Sequence, residues 1–252
     1  AIVHLGAKPI FVDVQDDLNI DPSKIENAIT NKTKAIMPVH LTGRICNMRE
    51  IIKISKKYNI QIIEDCAQSF SSKYYNKPCG SFGKIGCFSA HPLKNLNAMG
   101  DAGFITTSDK KISTYIKRAS NHGLITRDKA DKFGYVSRMD IVQAAILGHR
   151  LKKYKNVVLK RRSNADYYFK NLDKNYVQFS NEEKHQFNTY HTFVIQVNKR
   201  GSLIKYLNEK NIETYVHYPV PIHLQKAARN LGYKKGDFPV VERQAKKILS
   251  LP

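Results

Sequence analysis

A chain of 252 residues, 42% hydrophobic and 25% charged, can bury a sizeable core as one large domain or two unequal ones. It has no apolar run of roughly eighteen residues and opens with neither a basic leader nor a small-residue cleavage site, so a soluble, cytoplasmic protein with no membrane partner is expected. The formal charge of +21 raises nucleic acid as a partner, but no RNP, helix-turn-helix or finger pattern accompanies it, and a phosphorylated small substrate suits the charge equally.

In chain order, the apolar, β-branched run at residues 9–14 predicts a strand, and residues 22–29 predict a helix with Asp21 as N-cap and Pro22 at its first position. Residues 34–40 predict the next strand, followed by a turn at Gly43 and a helix over 47–57 with Met48, Ile51, Ile52 and Ile54 as its apolar face. Strands follow at 61–67, 85–90 and 103–107, then a helix over 109–120. This alternation predicts an α/β fold, a mostly parallel sheet flanked by helices.

Beyond Arg138 the apolar spacing predicts two long helices, 139–158 and 159–172. Here lies the densest basic cluster, Arg150, Lys152, Lys153, Lys155, Lys160, Arg161 and Arg162. Leu151, Tyr154, Val157 and Val158 interleave it at helical spacing, which predicts a solvated helix face. A strand at 192–197, a helix near 202–209, a strand at 212–218 and a helix near 240–249 predict a smaller C-terminal α+β domain. The expected division is a large domain, 1–150, and a small one, 151–252. The chain opens on Ala1 inside an apolar stretch and stops abruptly at Leu249-Ser250-Leu251-Pro252, so segments missing from the start and the end are expected. The cysteines Cys46, Cys66, Cys79 and Cys87 form no CxxC pair, so neither a disulfide framework nor a metal site is expected.

Polar residues just past a parallel strand's C-terminal end sit in the ligand crevice, and the strand at 61–67 places Asp65 there; a helix cap or an ion pair is the alternative role. Lys94, in a segment bracketed by sheet strands, is either a solvated lysine or a reactive amine. The stretches GAKPIFVDV (6–14), KTKAIMPVHLTG (32–43), IEDCAQ (63–68), GSFGKIGCFSAHPLKNL (80–96), GDAGFITT (100–107), GYVSRMDIVQAAIL (134–147) and VHYPVPIHLQ (216–225) decide between these readings. Together they resemble the DegT/StrS-type sugar aminotransferases, pyridoxal-phosphate enzymes of fold type I, over nearly the whole chain.

The resemblance implies that Lys94 holds pyridoxal phosphate as a Schiff base and later moves a proton, and that Asp65 pairs with the pyridine nitrogen. It further implies that Gln68 contacts the ring oxygen and that Ser89 binds the phosphate, with turn capping as the alternative for both. Arg138 would reach a partner subunit's active site in a homodimer with shared sites, and His217, Tyr218 and His223 would form the substrate-side wall. Val136 stands where the family has an asparagine that binds the partner's cofactor phosphate, and a valine donates no hydrogen bond. The family's upstream phosphate-binding turn has no counterpart in the sequence, so weak cofactor binding by this chain alone is expected. The implied activity is amino transfer from L-glutamate to a nucleotide-linked keto-sugar in glycan synthesis, with KNLNAMGDAG closer to members acting at the sugar's C3 than at C4. A regulatory or nucleic-acid-binding protein that keeps the fold is the alternative.

Overall fold

The computed structural model describes residues 1–252. In chain order the elements are β1 (Ala35–Ile36), α1 (Met48–Tyr58), β2 (Gln61–Asp65), β3 (Lys73–Tyr74), β4 (Lys77–Pro78), β5 (Ile85–Ser89), β6 (Gly103–Thr106) and α2 (Lys110–Ala119). They continue with β7 (Leu124–Thr126), β8 (Lys129–Ala130), α3 (Ile141–Asn171), β9 (Gln186–Phe187), β10 (Phe193–Gln196), α4 (Arg200–Glu209), α5 (Pro239–Lys247) and β11 (Ile248–Leu251). The main sheet has the order β1-β2-β5-β6. The pairs β1–β2 and β2–β5 are parallel, and β6 is antiparallel to β5.

The expected α1 and α2 form where local chemistry starts and stops them. Asn47 accepts from the Glu50 N–H to open α1, and Asn59 ends it in the left-handed conformation at φ 51°. Met48, Ile51 and Ile54 of α1 turn inward to pack with Ile36 and Ile62 of the sheet. Asp109 accepts from the N–H groups of Lys111 and Ile112 to open α2.

Five expectations change. Residues 9–14 form no strand; only a bridge between Val14 and Ile20 remains, and Asp13 instead accepts from the N–H groups of Val240 and Val241, both at 3.0 Å. That carboxylate caps the first turn of α5, which has no side-chain cap of its own at Phe238. The helix expected at 22–29 is two single 3-10 turns, Pro22–Lys24 and Glu26–Ala28, although Asp21 does cap the first. The two helices expected beyond Arg138 are one, α3, about 46 Å long at 1.5 Å per residue, and the expected domain boundary at 150/151 lies within it. Residues 248–251 leave α5 and pair as β11 with β10, because their apolar side chains complete the small domain's core rather than a helix face. The strand expected at 212–218 shrinks to a bridge between Tyr215 and Ser250.

The basic cluster on α3 is divided. Lys152, Lys153, Lys155 and Lys160 are exposed as expected, as are Leu151 and Val157, while only Tyr154 and Val158 of the interleaved apolar residues are buried. The arginines turn inward. Arg150 donates to the Asn97 backbone and side chain, Arg161 to the carbonyls of Tyr190 and His191, and Arg162 pairs with Glu182 at 2.8 Å.

One buried carboxylate organises the sheet's centre. Glu64 of β2 accepts from the N–H groups of Gly80, Phe82 and Gly83 at 2.8, 2.7 and 2.7 Å, and lies 3.0 Å from His40 Nε2. The Cys46 N–H donates to His40 Nδ1, so the ring's proton sits on Nε2 and is donated to Glu64. Burial alone would raise the Glu64 pKa, but the bonds from His40, Gly83 and Gly80 outweigh it and hold the group below its ordinary value of 4.5. A folded-state pKa held low contributes stability that is present above the unfolded value and lost as pH falls through the folded one. Acid unfolding is therefore expected to draw on Glu64 below about pH 4.5. Glu64→Gln, which points an amide N–H2 at two N–H donors whichever oxygen it replaces, should lower the unfolding free energy by about 3 kcal/mol in urea titrations at pH 7 and blunt the acid limb of stability.

Candidate active site

The parallel pairing sets the site. Asp65 ends β2 opposite Cys87, and Ser89 ends the neighbouring β5 two residues further on, so both project at the same edge of the sheet. Asp65 Oδ1 accepts from the Ala67 N–H at 3.0 Å, leaving Oδ2 open. The chain then passes Gln68, whose Oε1 accepts from the Thr42 N–H at 2.7 Å, so the amide N–H2 is left to donate elsewhere. Ser89 Oγ accepts from the His91 N–H at 3.3 Å, which keeps its O–H free to donate.

Lys94 lies in the turn after β5, half-buried. Burial pushes its amine below the ordinary 10.5, while the Asp65 carboxylate works against that shift. Two imidazoles feel the same amine. His191 is lowered to about 4 by burial, by Lys94, and by Arg161 and His217; His217 is lowered by burial and by Lys94. His217 Nδ1 lies 2.9 Å from Ser250 Oγ of β11, so a small-domain strand carries it to the sheet's edge.

Of the residues expected from sequence, Asp65, Gln68, Ser89, Lys94 and His217 thus gather at one end of the main sheet. Others do not join them. Arg138 is exposed and donates to Asn121 Oδ1 at 3.1 Å. Tyr218 is 58% exposed beside His217. His223 is buried, with Nε2 2.9 Å from Glu242 and its ring edge against Phe238, so its polar atom is spent within the small domain. The residue that sequence reading missed is His191: it belongs to no motif, and only the fold carries it back to Lys94 across 97 positions. Gly43 makes its approach possible. At φ +94°, a Cβ there would meet the Tyr190 and His191 backbone nitrogens at 2.7 and 2.9 Å.

His40, Glu64 and Cys66 also lie close enough to ligate a metal ion. Their lone pairs are already spoken for: Glu64 accepts four hydrogen bonds and His40 Nδ1 one. The hydrogen bond with Cys79, together with burial, pushes the Cys66 thiol far up, so it offers no thiolate. The cluster is a structural clamp.

The free donor set at the sheet edge is a carboxylate, an amide N–H2, a hydroxyl and an amine with a lowered pKa. It fits pyridoxal phosphate, whose protonated ring nitrogen, ring oxygen, phosphate and aldehyde need those four partners in turn. If Asp65 supports the charged amine, Asp65→Asn should lower the Lys94 pKa further. Competitive acylation of Lys94 across pH, read by peptide mass spectrometry, checks this; an unchanged or higher midpoint would contradict the pairing.

Comparison with known proteins agrees with this geometry. The DegT/DnrJ/EryC1/StrS aminotransferase family description matches residues 1–252. The "Pleiotropic regulatory protein" of Geobacillus stearothermophilus is 39% identical over 256 residues, covering 100% of this chain and 69% of that protein. The dTDP-3-amino-3,6-dideoxy-alpha-D-galactopyranose transaminase of Aneurinibacillus thermoaerophilus is 39% identical over 253 residues, covering 100% and 69%. The crystal structure of a DegT DnrJ EryC1 StrS aminotransferase from Brucella abortus superposes with a TM-score of 0.95 at 32% identity, covering 99% of this chain and 69% of that one. The match runs through the elements that carry Asp65 and Lys94 and through the small domain alike, and the chain belongs to the DegT/DnrJ/EryC1/StrS aminotransferase family.

Proposed function

We propose that this chain moves an amino group from L-glutamate to a keto carbon of a nucleotide-linked sugar, in two half-reactions. The observation that carries the reading is the half-buried Lys94 amine, within the field of the Asp65 carboxylate at the C-terminal edge of a parallel sheet. The family is one of pyridoxal-phosphate enzymes. When bound, the cofactor supplies a carbonyl that exchanges with the amino group and a ring that withdraws electrons.

The chain's own residues then take distinct parts. Lys94 Nζ holds the cofactor through its amine and, once released, takes the proton from the substrate carbon and returns it. Its lowered pKa favours the neutral, nucleophilic form. Asp65 keeps a proton on the ring nitrogen, Gln68 donates to the ring oxygen through its free N–H2, and Ser89 donates its O–H to the phosphate. His217 forms the wall on the sugar side. The aminated product feeds glycan synthesis, and the Aneurinibacillus relative's 3-amino product favours C3 of the sugar.

The same proposal includes a homodimer. Phe133, Tyr135, Val136, Ile141 and Val142 are 104, 68, 67, 86 and 67% exposed, an apolar surface around Arg138 that a second copy would cover. That copy would receive Arg138 in its own site. The proposed division, 1–150 for the cofactor and 151–252 for the small domain, has α3 running through both. The four free cysteines suit a reducing, cytoplasmic setting.

The test is incubation of the protein with pyridoxal phosphate and L-glutamate, following absorbance as the cofactor passes from its carbonyl to its amine form. Keto-sugars linked to dTDP or UDP, added next, should restore the first spectrum. Lys94→Ala should abolish both changes, and parental rates in that variant would overturn the assignment.

A further inference from the structure

Asn188, between β9 and β10, has its backbone fully engaged and its side chain idle. Its N–H donates to Glu182 Oε1 at 2.9 Å, and its carbonyl accepts from Arg162 at 2.9 Å. The residue is 2% exposed, yet neither Oδ1 nor Nδ2 makes a hydrogen bond to any group of the protein. Leaving both ends of a buried amide unmet is costly, and buried polar groups are filled almost without exception by protein or by ordered water.

Asn188 lines a cavity of about 40 Å³. One water needs roughly 10–15 Å³ of such space, so two or three fit, whereas a cofactor or sugar does not. The apolar side of the cavity is Phe169, Phe179 and Phe193, packed on one another with ring centroids 5.1 to 5.9 Å apart. Asp17, Thr42, Arg44 and Thr192 supply its polar side. Bonds to Gln186 Oε1 and to the carbonyls of Ser180 and Asn181 hold the Arg44 guanidinium in place. Burial raises the Asp17 carboxyl above its ordinary value, against the opposing effects of the Asn19 N–H and Arg44. With a carboxylate and a guanidinium on the same side, an anion would meet Asp17 and a cation would meet Arg44. A neutral molecule that both donates and accepts suits the cavity and the Asn188 amide together.

We propose that this cavity is an internal hydration site, in which about two or three ordered waters accept from Asn188 Nδ2, donate to its Oδ1 and reach the polar side. Thr42 also donates its N–H to Gln68 Oε1, so the hydrated cavity backs onto the turn that orients that amide. The proposal is independent of amino transfer, and its test needs neither cofactor nor substrate.

Water-selective nuclear Overhauser spectra of the full chain should show cross-peaks between long-lived water and the Asn188 side-chain N–H2. Magnetic relaxation dispersion of the solvent, which counts slowly exchanging internal waters, should register about two fewer in Asn188→Leu, an apolar side chain of similar volume. An amide without water contact in the parent, or an equal count in parent and variant, would overturn the proposal. Parent crystals soaked in rubidium bromide distinguish water from ions, since anomalous scattering inside the cavity would mean ion binding and overturn it as well. Should Asn188→Leu fail to fold, the parent's cross-peaks and anomalous maps decide alone.

Discussion

The hydrogen-bonded Glu64 carboxylate is the constraint on which the rest depends. It is fully buried, and burying a charge costs several kcal/mol unless its lone pairs are filled. Three N–H groups from one tight turn and the His40 imidazole fill them, which pins residues 80–83 under β2 and launches β5 from a fixed point. Neighbouring strand residues face opposite ways, so with Glu64 turned into this clamp Asp65 is committed to the other side. The chemical partner of Lys94 is thus aimed by the residue before it.

The small domain adds a second layer. Strands β10 and β11 bring Ser250 behind His217, while the segment before β10 lays His191 against Asn95, the residue after Lys94. Helix α3 braces both sides at once: Tyr154 donates to the Phe70 carbonyl near the main sheet, and Arg161, two turns on, holds the backbone of Tyr190 and His191. A half-buried arginine suits this place because its always-charged guanidinium can donate to several carbonyls together.

Much of this was legible from the chain. The β2, β5 and β6 strands and the α1 and α2 helices announce themselves through period and caps, and Asp65, Gln68, Ser89 and Lys94 sit in short motifs whose spacing is local. What escaped was non-local. Residues 9–14 read as a strand on composition, yet Asp13 is consumed by a helix end far along the chain. Residues 248 and 249 read as the end of a helix until a partner strand is supplied. His223 read like a site residue, but Glu242, nineteen positions later, takes its ring nitrogen. His191 has no pattern at all, since only the folded chain brings its ring to Asn95.

The Asp13 cap has a consequence for how the molecule comes into being. Its hydrogen bonds span separations of 227 and 228 residues, the longest kind of loop this chain can close. During synthesis residues 9–14 emerge well before their resting place at the start of α5 is made. Until then Phe11 lacks the Tyr233 and Phe238 rings it packs against. This segment is therefore among the later parts to find its place, and the fold closes on a long-range contact rather than growing outward from a local one.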